Sequence, residues 1–332
     1  MHHPSRSRTA VLVAVLSLLF VGADTSASRI PAEPAAPDDV VLAPSAAGRS
    51  GSLRVLFTLP GATVDLPLAW TAARPEFARW RWLPILGTPG VPFEGPLAEG
   101  HVPAPHIAGA YRLEITWPEG SRRFDELTLL VKVPLDRKQN GRVGSYFIGR
   151  FPTEGEARFD RYRAPEGLIE VTRENQDLQI SEHFTLREFL TKDQHDVWPK
   201  YVVVDPMMLD KLELLMADLE ANGVPARRMV VMSGFRTPQY NGRGLDAGRA
   251  ELSRHQYGDA ADVWVDNDGD WYIDDLNRDG RRDTNDARVV LAAVERVERA
   301  YPQLIGGAGV YRDNGAHGPF IHIDVRGRRA RW

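Results

Sequence analysis

Two short segments of the chain carry histidine and aspartate at spacings that could support metal chemistry. "SRHQYGDAADVW" (residues 253–264) holds His255 and Asp262, and "FIHIDVR" (residues 320–326) holds His322. Two imidazoles and a carboxylate make a suitable ligand set for Zn²⁺, which then keeps a fourth position for water or substrate. A histidine in such a pattern is also often structural, so spacing alone leaves both interpretations open.

The second segment has the alternation of a strand with one polar face. Apolar residues alternate with ionisable ones: Ile321, Ile323 and Val325 with His322, Asp324 and Arg326. Successive side chains of a strand point to opposite faces of a sheet, so the ionisable set shares one face. An ordinary solvated face usually carries Lys, Thr or Ser, and three ionisable residues in succession favour a cleft.

The first segment shows the same alternation after its turn, with Asp262 between two apolar residues. If the two strands are neighbours, Asp262 and His322 lie on one face with Cβ atoms about 5 Å apart. The glycine turn at Gly258 can bring His255 back to the same point. In that arrangement a sheet and one tight turn would bring the three side chains together, and the spacing alone leaves open whether they form a metal site.

Helices and a further strand surround these segments. "DPMMLDKLELLMADLEANG" predicts a helix that is capped by Asp205, has Pro206 at its first position and ends at residues 222–223. "TNDARVVLAAVERVERAY" predicts a second amphipathic helix, and Thr185 and Glu188 have capping-box spacing. With "MVVMSGF" as another strand, the pattern predicts an α+β fold.

The N-terminal half has a different pattern. Short β-rich runs separated by Pro and Gly predict a small all-β domain at residues 51–150, with a hairpin turn at Asn140-Gly141. Residues 28–50 are rich in Pro and Ala without apolar periodicity, which predicts a flexible linker. We therefore expect a β-rich domain followed by a second domain at residues 151–332.

The first residues of the chain have the organisation of an export signal. Arg6 and Arg8 precede the apolar run "AVLVAVLSLLFVGA", and small residues follow. The run is short for a membrane span. We expect a signal peptide at residues 1–27 and an exported protein, periplasmic or secreted, with no stable membrane span after cleavage; an uncleaved anchor is the alternative.

Composition excludes several kinds of chemistry. The chain has no cysteine, which rules out disulfides, thiol nucleophiles, cysteine zinc sites and a lipid-bearing cysteine. The net charge is −4 and the basic residues are spread among acidic ones, so we expect no nucleic-acid partner. The sequence does not decide the oligomeric state.

Three segments, in this order along the chain, resemble motifs of the zinc D-Ala-D-Ala carboxypeptidases, the M15 family. "MSGFRTPQYN" resembles their Ser-Gly-[Tyr/Phe]-Arg segment, "SRHQYGDAADV" their Ser-x-His-x6-Asp motif, and "GPFIHIDVRG" the strand that supplies their third ligand. The resemblance spans roughly residues 181–332, and the ending "RGRRARW" is similar to that of one exported branch, subfamily A of this family. It implies a C-terminal zinc peptidase domain with a small antiparallel sheet flanked by helices, preceded by the all-β domain.

The resemblance also implies roles for individual residues. Zinc ligands fall at His255, Asp262 and His322, and substrate contacts at Arg236 and Ser253. Arginine suits a carboxypeptidase because its guanidinium can bind a substrate carboxylate through two parallel hydrogen bonds. The alternatives are a structural salt bridge for Arg236 and a turn cap for Ser253.

The general base is the point at which this chain departs from the family pattern. Several members place a glutamate three residues before the third ligand, where this chain has Pro319. Others use a histidine just before that ligand, and His317 in the loop "AHGPF" is such a residue. Asp324 shares a face with His322 and is the competing candidate, or it orients a ligand by hydrogen bonding.

A second metal signal lies between Asp262 and His322. "DLNRDGRRDTNDA" has candidate oxygen ligands at calcium-loop positions 1, 3, 5, 7, 9 and 12: Asp275, Asn277, Asp279, Arg281 through its carbonyl, Asp283 and Asp286. Its twelfth residue is Asp, so it resembles dockerin loops more than EF-hands. We expect an acidic insertion (residues 266–286) in which Ca²⁺ rigidifies the domain; a solvated acidic loop is the alternative.

Three functions fit these observations. The first is an exported zinc peptidase that hydrolyses peptidoglycan stem peptides through a metal-activated water, of D,D-carboxypeptidase or endopeptidase type. The second is a non-catalytic, metal-stabilised wall-binding module on the same fold, which Pro319 favours. The third is a calcium-dependent carbohydrate- or wall-binding protein, which would bind glycan without hydrolysis.

Overall fold

The structure is a computed structural model that describes residues 39–43, 53–71, 73–98, 100–155, 162–246 and 249–332. The predicted signal peptide and most of the predicted linker lie outside the described residues. The described part is α+β, as predicted, with few helices and several small sheets. No helix in this part combines the length and the apolar character needed to cross a bilayer.

The N-terminal half is built from short strands, as its sequence predicts. They are β1 (Val40–Leu42), β2 (Arg54–Thr58), β3 (Thr63–Asp65), β4 (Leu68–Trp70), β5 (Arg79–Ile85), β6 (Phe93–Pro96), β7 (His101–Pro103), β8 (Gly109–Trp117) and β9 (Gly120–Val131). The main sheet has the order β2-β9-β8-β5-β6, and only β2 and β9 run parallel in it.

Strand β1 differs from the sequence-based expectation, which placed its residues in the flexible linker. It pairs antiparallel with β4, and Val40 is fully buried in the core of the N-terminal half. The three consecutive apolar residues of β1 favour a buried strand, but the Pro- and Ala-rich composition around them indicated a linker instead. The linker expectation therefore fails at residues 40–42.

The last part of β9 joins the two halves of the structure. Its run from Leu127 to Val131 is buried at every residue, which is typical of a strand covered on both faces. Leu129 packs in the core of the N-terminal half, whereas Leu130 packs in the larger core that also contains the helices. The β-rich half therefore supports the second half through an apolar contact.

Further short strands connect the halves: β10 (Val133–Pro134), β11 (Arg142–Val143), β12 (Tyr146–Phe147), β13 (Gly167–Val171) and β14 (Lys200–Val202). The predicted turn at Asn140-Gly141 is confirmed. Both residues have positive φ, and Gln139 and Arg142 exchange two backbone hydrogen bonds across them. Positive φ at both central residues is the requirement that Asn-Gly meets in a two-residue hairpin.

The second half contains the helices and one five-stranded sheet. Its elements are α1 (Pro206–Ala221), β15 (Met229–Ser233), α2 (Pro238–Gly242), β16 (Ala260–Val265), α3 (Thr284–Ala300), β17 (Gly307–Tyr311), β18 (Phe320–Asp324) and β19 (Ala330–Arg331). The sheet order is β15-β16-β18-β17-β19, with antiparallel pairing except between β17 and β19.

The predicted helix caps are present. The Asp205 carboxylate accepts a hydrogen bond from the amide of Met207 at the start of α1. Thr185 and Glu188 form the predicted capping box, but it caps only a short 3-10 turn. The chain is extended at Leu190, and the hydroxyl of the next residue, Thr191, is hydrogen-bonded to the segment that contains Phe235 and Thr237.

A buried lysine ties α1 and α3 to the sheet. Lys211 is fully buried, and its ammonium group donates to the Glu298 carboxylate and to the backbone carbonyls of Leu304 and Asp324. The Glu298 carboxylate also pairs with Arg331. Three elements therefore meet at one satisfied polar group directly behind β18.

We expect Lys211→Met to lower the free energy of unfolding by about 3–5 kcal/mol, the cost of breaking a buried ion pair from one side. Denaturant melts measure this change. Arg123→Met is the matched control, since Arg123 pairs with Asp125 on the exposed surface, and it should leave the midpoint unchanged. Equal effects of the two substitutions would contradict the structural role of Lys211.

Candidate metal centre

Two adjacent strands bring the predicted ligands Asp262 and His322 together. β16 and β18 pair antiparallel, with Asp262 directly opposite His322. Every residue of both strands is buried. The alternation seen in the sequence therefore places apolar residues in the core and the two polar side chains on the other face.

The third predicted ligand comes from a tight turn. His255 lies in a 3-10 turn that ends at Gly258, whose φ is +73°. A Cβ atom at Gly258 would lie 2.4 Å from the Val203 carbonyl oxygen, so only glycine fits. The Gly258 carbonyl also accepts a hydrogen bond from the amide of Asp205, which fixes the turn to the start of α1.

The two histidines direct different ring nitrogens toward the point where the three side chains meet. The Nδ1 atom of His255 is 2.7 Å from the Gly234 carbonyl oxygen and donates to it, which leaves Nε2 as the free lone pair. The Nε2 atom of His322 is 3.2 Å from an Asp324 carboxylate oxygen, which leaves Nδ1 for the site. Metal-bound histidines commonly have their other nitrogen held in this way.

Three potential ligand atoms converge at one point. Asp262 Oδ1 lies 3.2 Å from His255 Nε2 and 2.9 Å from His322 Nδ1, and the two nitrogens are 3.2 Å apart. With bonds of about 2.0–2.2 Å, the ligand atoms of a tetrahedral zinc ion lie about 3.3–3.5 Å apart. The side chains therefore fit a metal ion with little rearrangement.

The charges of the three groups suit the same ion. Burial lowers the pKa of His255, which keeps this imidazole neutral. Burial alone would raise the pKa of Asp262, but His255 and His322 outweigh it and lower the pKa well below its usual range. Burial alone would lower the pKa of His322, but its hydrogen bonds to Asp262 and Asp324 and the charges of these carboxylates outweigh burial and raise this pKa. An ion at this point would take the place of a proton shared between His322 and Asp262.

Asp324 lies behind the site. Its side chain is fully buried and pairs with Arg326, and its oxygens also accept hydrogen bonds from the Gly307 amide and His322. Burial would raise the pKa of Asp324, but these contacts lower it far below its usual range. Of the two roles that the sequence left open, this geometry favours orienting His322 over proton transfer.

Arg236 already has partners within the protein. Its guanidinium binds the second carboxylate oxygen of Asp262 through Nη2, and its Nε donates to Ser233 Oγ at 2.7 Å. Its backbone amide donates to the His255 carbonyl, which ties it to the turn. The salt-bridge alternative for Arg236 is therefore present, while its Nη1 group has no hydrogen-bond partner among the described residues.

The remaining predicted residues line the same cavity. It has a volume of about 1100 Å³, and Ser253, Arg236, His317 and the three potential ligands lie in its wall. Ser253 occupies the cap position of the 3-10 turn, but its hydroxyl makes no capping hydrogen bond. The Nδ1 atom of His317 donates to the Gly318 carbonyl at 2.9 Å, so its Nε2 lone pair remains free.

No sequence pattern predicted the aromatic residues in the wall of this cavity. Trp332 packs against the His322 ring with centroids 5.4 Å apart, and its indole nitrogen donates to the Tyr311 hydroxyl. Tyr311 stacks on Phe320, and the His317 ring meets Phe320 edge-on. No periodic pattern marks Trp332, and its position depends on the pairing of β19 with β17.

The predicted calcium loop forms backbone turns. Carboxylate oxygens of Asp275 and Asp279 accept backbone amides within the loop, Asp283 caps α3, and Asp286 is fully buried. Among the described residues, the acidic side chains whose oxygens converge are instead those just upstream: Asp266, Asp268 and Asp274. Calcium binding by the loop stays a prediction.

We expect one tightly bound zinc ion per chain, and its loss on His322→Ala, which removes one of three converging ligand atoms. Metal analysis after extensive dialysis measures the bound zinc. His317→Ala is the matched control, since His317 lines the cavity without belonging to the converging group. Full zinc occupancy in His322→Ala would contradict the ligand assignment.

If the loop binds calcium, the melting temperature of the zinc-loaded protein should rise with calcium concentration. If calcium binds only the folded protein, it stabilises that state by roughly 2.7 kcal/mol at a free calcium concentration one hundred times the dissociation constant. Magnesium should substitute poorly because it demands a smaller octahedral shell. Asp275→Ala should abolish the rise in melting temperature and leave the zinc content unchanged. Identical melting curves of the parent with and without calcium would show that the loop is only solvated.

Comparison with known proteins agrees with this geometry. Residues 182–287 match the family profile described as Peptidase M15. The match covers less than half of the chain; it includes Arg236, His255 and Asp262 and ends before His322. No curated protein and no solved structure matches the chain significantly. The match supports a metallopeptidase domain of the M15 kind, a family that typically depends on zinc.

Proposed function

We propose that the protein is an exported zinc-dependent peptidase that hydrolyses peptidoglycan stem peptides, of D,D-carboxypeptidase or endopeptidase type. The observation that carries the proposal is the convergence of His255 Nε2, Asp262 Oδ1 and His322 Nδ1 at the wall of a large cavity. Three protein ligands with open space beside them are typical of a catalytic zinc site, whereas structural sites are closed by four.

His255, Asp262 and His322 would hold a zinc ion, which would supply Lewis acidity toward the scissile carbonyl and a water molecule with a pKa of about 7. The protein's own groups then position the substrate and move the proton. His317 presents a free Nε2 atom in the same cavity, so it accepts a proton from the attacking water and returns one to the leaving amine. Arg236 holds Asp262 in place from the side away from the histidines.

The substrate class rests on two further features. The M15 match implies a peptide substrate in general. The signal-like segment at residues 1–27 would bring the protein to the compartment in which peptidoglycan lies. A periplasmic or secreted location is thus part of the proposal.

A non-catalytic wall-binding module is the second candidate. The observation that favours it is Pro319, which is buried at the position where several members of the family carry a glutamate. In that case the metal would stabilise the fold, and the cavity would bind peptide without cleaving it.

Mass spectrometry of peptidoglycan fragments separates these two functions. Zinc-loaded protein should release D-alanine or cleave stem-peptide cross-links, and chelation should stop the reaction until zinc is restored. Intact fragments after incubation with fully zinc-loaded protein would favour the binding module.

We expect His317→Ala to lower kcat by about 10²–10⁴-fold, the usual contribution of a proton-transfer group. Its zinc content should equal that of the parent, since His317 is not among the converging ligands. Steady-state kinetics on a stem pentapeptide measure the effect. His101→Ala, in β7 of the N-terminal half, serves as the control and should keep full activity. Parent-like turnover by His317→Ala would remove His317 from the mechanism.

A further inference from the structure

A second cavity meets the candidate site at one lysine. It has a volume of about 420 Å³, and its wall includes Trp198, Trp271, Lys200 and Arg228. Lys192 lines both this cavity and the larger one that contains the potential metal ligands. The two cavities therefore adjoin at Lys192, and a ligand that extends from the metal centre toward the second cavity would pass this residue.

The segment before Lys192 is fixed beside Arg236. The buried Thr191 hydroxyl donates to the Phe235 carbonyl and accepts a hydrogen bond from the Thr237 amide, both at 3.1 Å. The Phe235 amide donates to the Phe189 carbonyl. These contacts hold Lys192 on a rigid backbone next to the loop that carries Arg236.

Gly234 permits this close approach. A Cβ atom at Gly234 would lie 2.8 Å from the Phe189 Cα atom, so a larger residue would separate the two segments. The glycine lets the Lys192 segment and the Arg236 loop approach each other, and its carbonyl also accepts the hydrogen bond from His255.

Lys192 differs from the arginines and the other lysine of the second cavity. Arg187 pairs with Asp177, Arg228 pairs with Asp266, and Lys200 donates to two backbone carbonyls. Lys192 remains exposed and makes no hydrogen bond or ion pair with any described residue. It is thus a cation without a carboxylate within ion-pair distance among the described residues, and Asp262 acts on it only from farther away.

The electrostatic surroundings agree with this description. Loss of hydration and the positive charge of Arg236 lower the pKa of Lys192, while Asp262 acts in the opposite direction. An incoming carboxylate would relieve this destabilisation of the ammonium group, whereas a neutral amide would not. One oxygen of the Glu188 carboxylate in the cavity wall, Oε2, accepts hydrogen bonds from the backbone amide and the hydroxyl of Thr185.

We propose that Lys192 binds a carboxylate of the substrate remote from the scissile bond, and that the second cavity is the subsite for the acid-bearing residue. This proposal rests on the proposed function, since stem peptides carry free carboxylates along their length. Arg236, which is held by Asp262 and Ser233, is less available for that role. Trp198 and Trp271 supply apolar surface for the aliphatic part of the same residue.

Calorimetric binding of an uncleavable ligand tests the proposal. The probes are the stem tripeptide L-alanyl-γ-D-glutamyl-diaminopimelic acid and the same peptide with every carboxylate converted to a carboxamide. The zinc-loaded parent should bind the acid at least about tenfold more tightly than the amide, the size of one hydrogen bond to a charged group. Lys192→Gln should lose most of this preference, and Lys192→Arg should restore most of it.

Lys132→Gln is the matched control, because Lys132 lies outside both cavities, and it should keep the parent's preference. Zinc content equal to the parent's shows that each variant retains the site. Equal binding of the acid and the amide by the parent, or a preference for the acid that is undiminished in Lys192→Gln, would overturn the proposal. The preference without any hydrolysis of stem pentapeptides would instead reject the peptidase and keep Lys192 as the carboxylate-binding residue of a wall-binding module.

Discussion

The register between β16 and β18 is the constraint on which the candidate site depends. It places Asp262 opposite His322, and a slip by one residue would turn both side chains into the core. The apolar residues of the same strands prevent that slip. Ala261, Val263 and Ile323 pack in the main core with the helices, so a slip by one residue would turn aliphatic side chains away from that core.

Contacts behind this register fix the orientation of each group. Asp324 holds His322 from below, the Gly234 carbonyl holds His255, and Arg236 holds the second oxygen of Asp262. Each of the three converging side chains therefore has a partner for its other polar atom. The site is pre-organised by residues that need not touch a substrate, which is how metal sites usually maintain their geometry.

The sequence predicted local features well and long-range placement less well. The alternation around His322 and Asp262 predicted two strands with shared polar faces, and Asp205 predicted the start of α1. Lys192 gave no such signal, because hydrogen bonds across more than forty residues of chain bring its segment to Arg236. Strand β1 was missed because its pairing with β4 is a tertiary contact that composition does not reveal.

The two acidic groups nearest the site each carry their own arginine, Asp262 with Arg236 and Asp324 with Arg326. Each pair is neutral, and both imidazoles would bind an ion as neutral groups. A divalent cation held by these residues would thus keep its double charge uncompensated, and Lys192 carries a further charge of the same sign at the cavity wall. With such an ion bound, the centre would have a positive potential in a chain whose net charge is −4, and its field would attract anions that the rest of the surface repels.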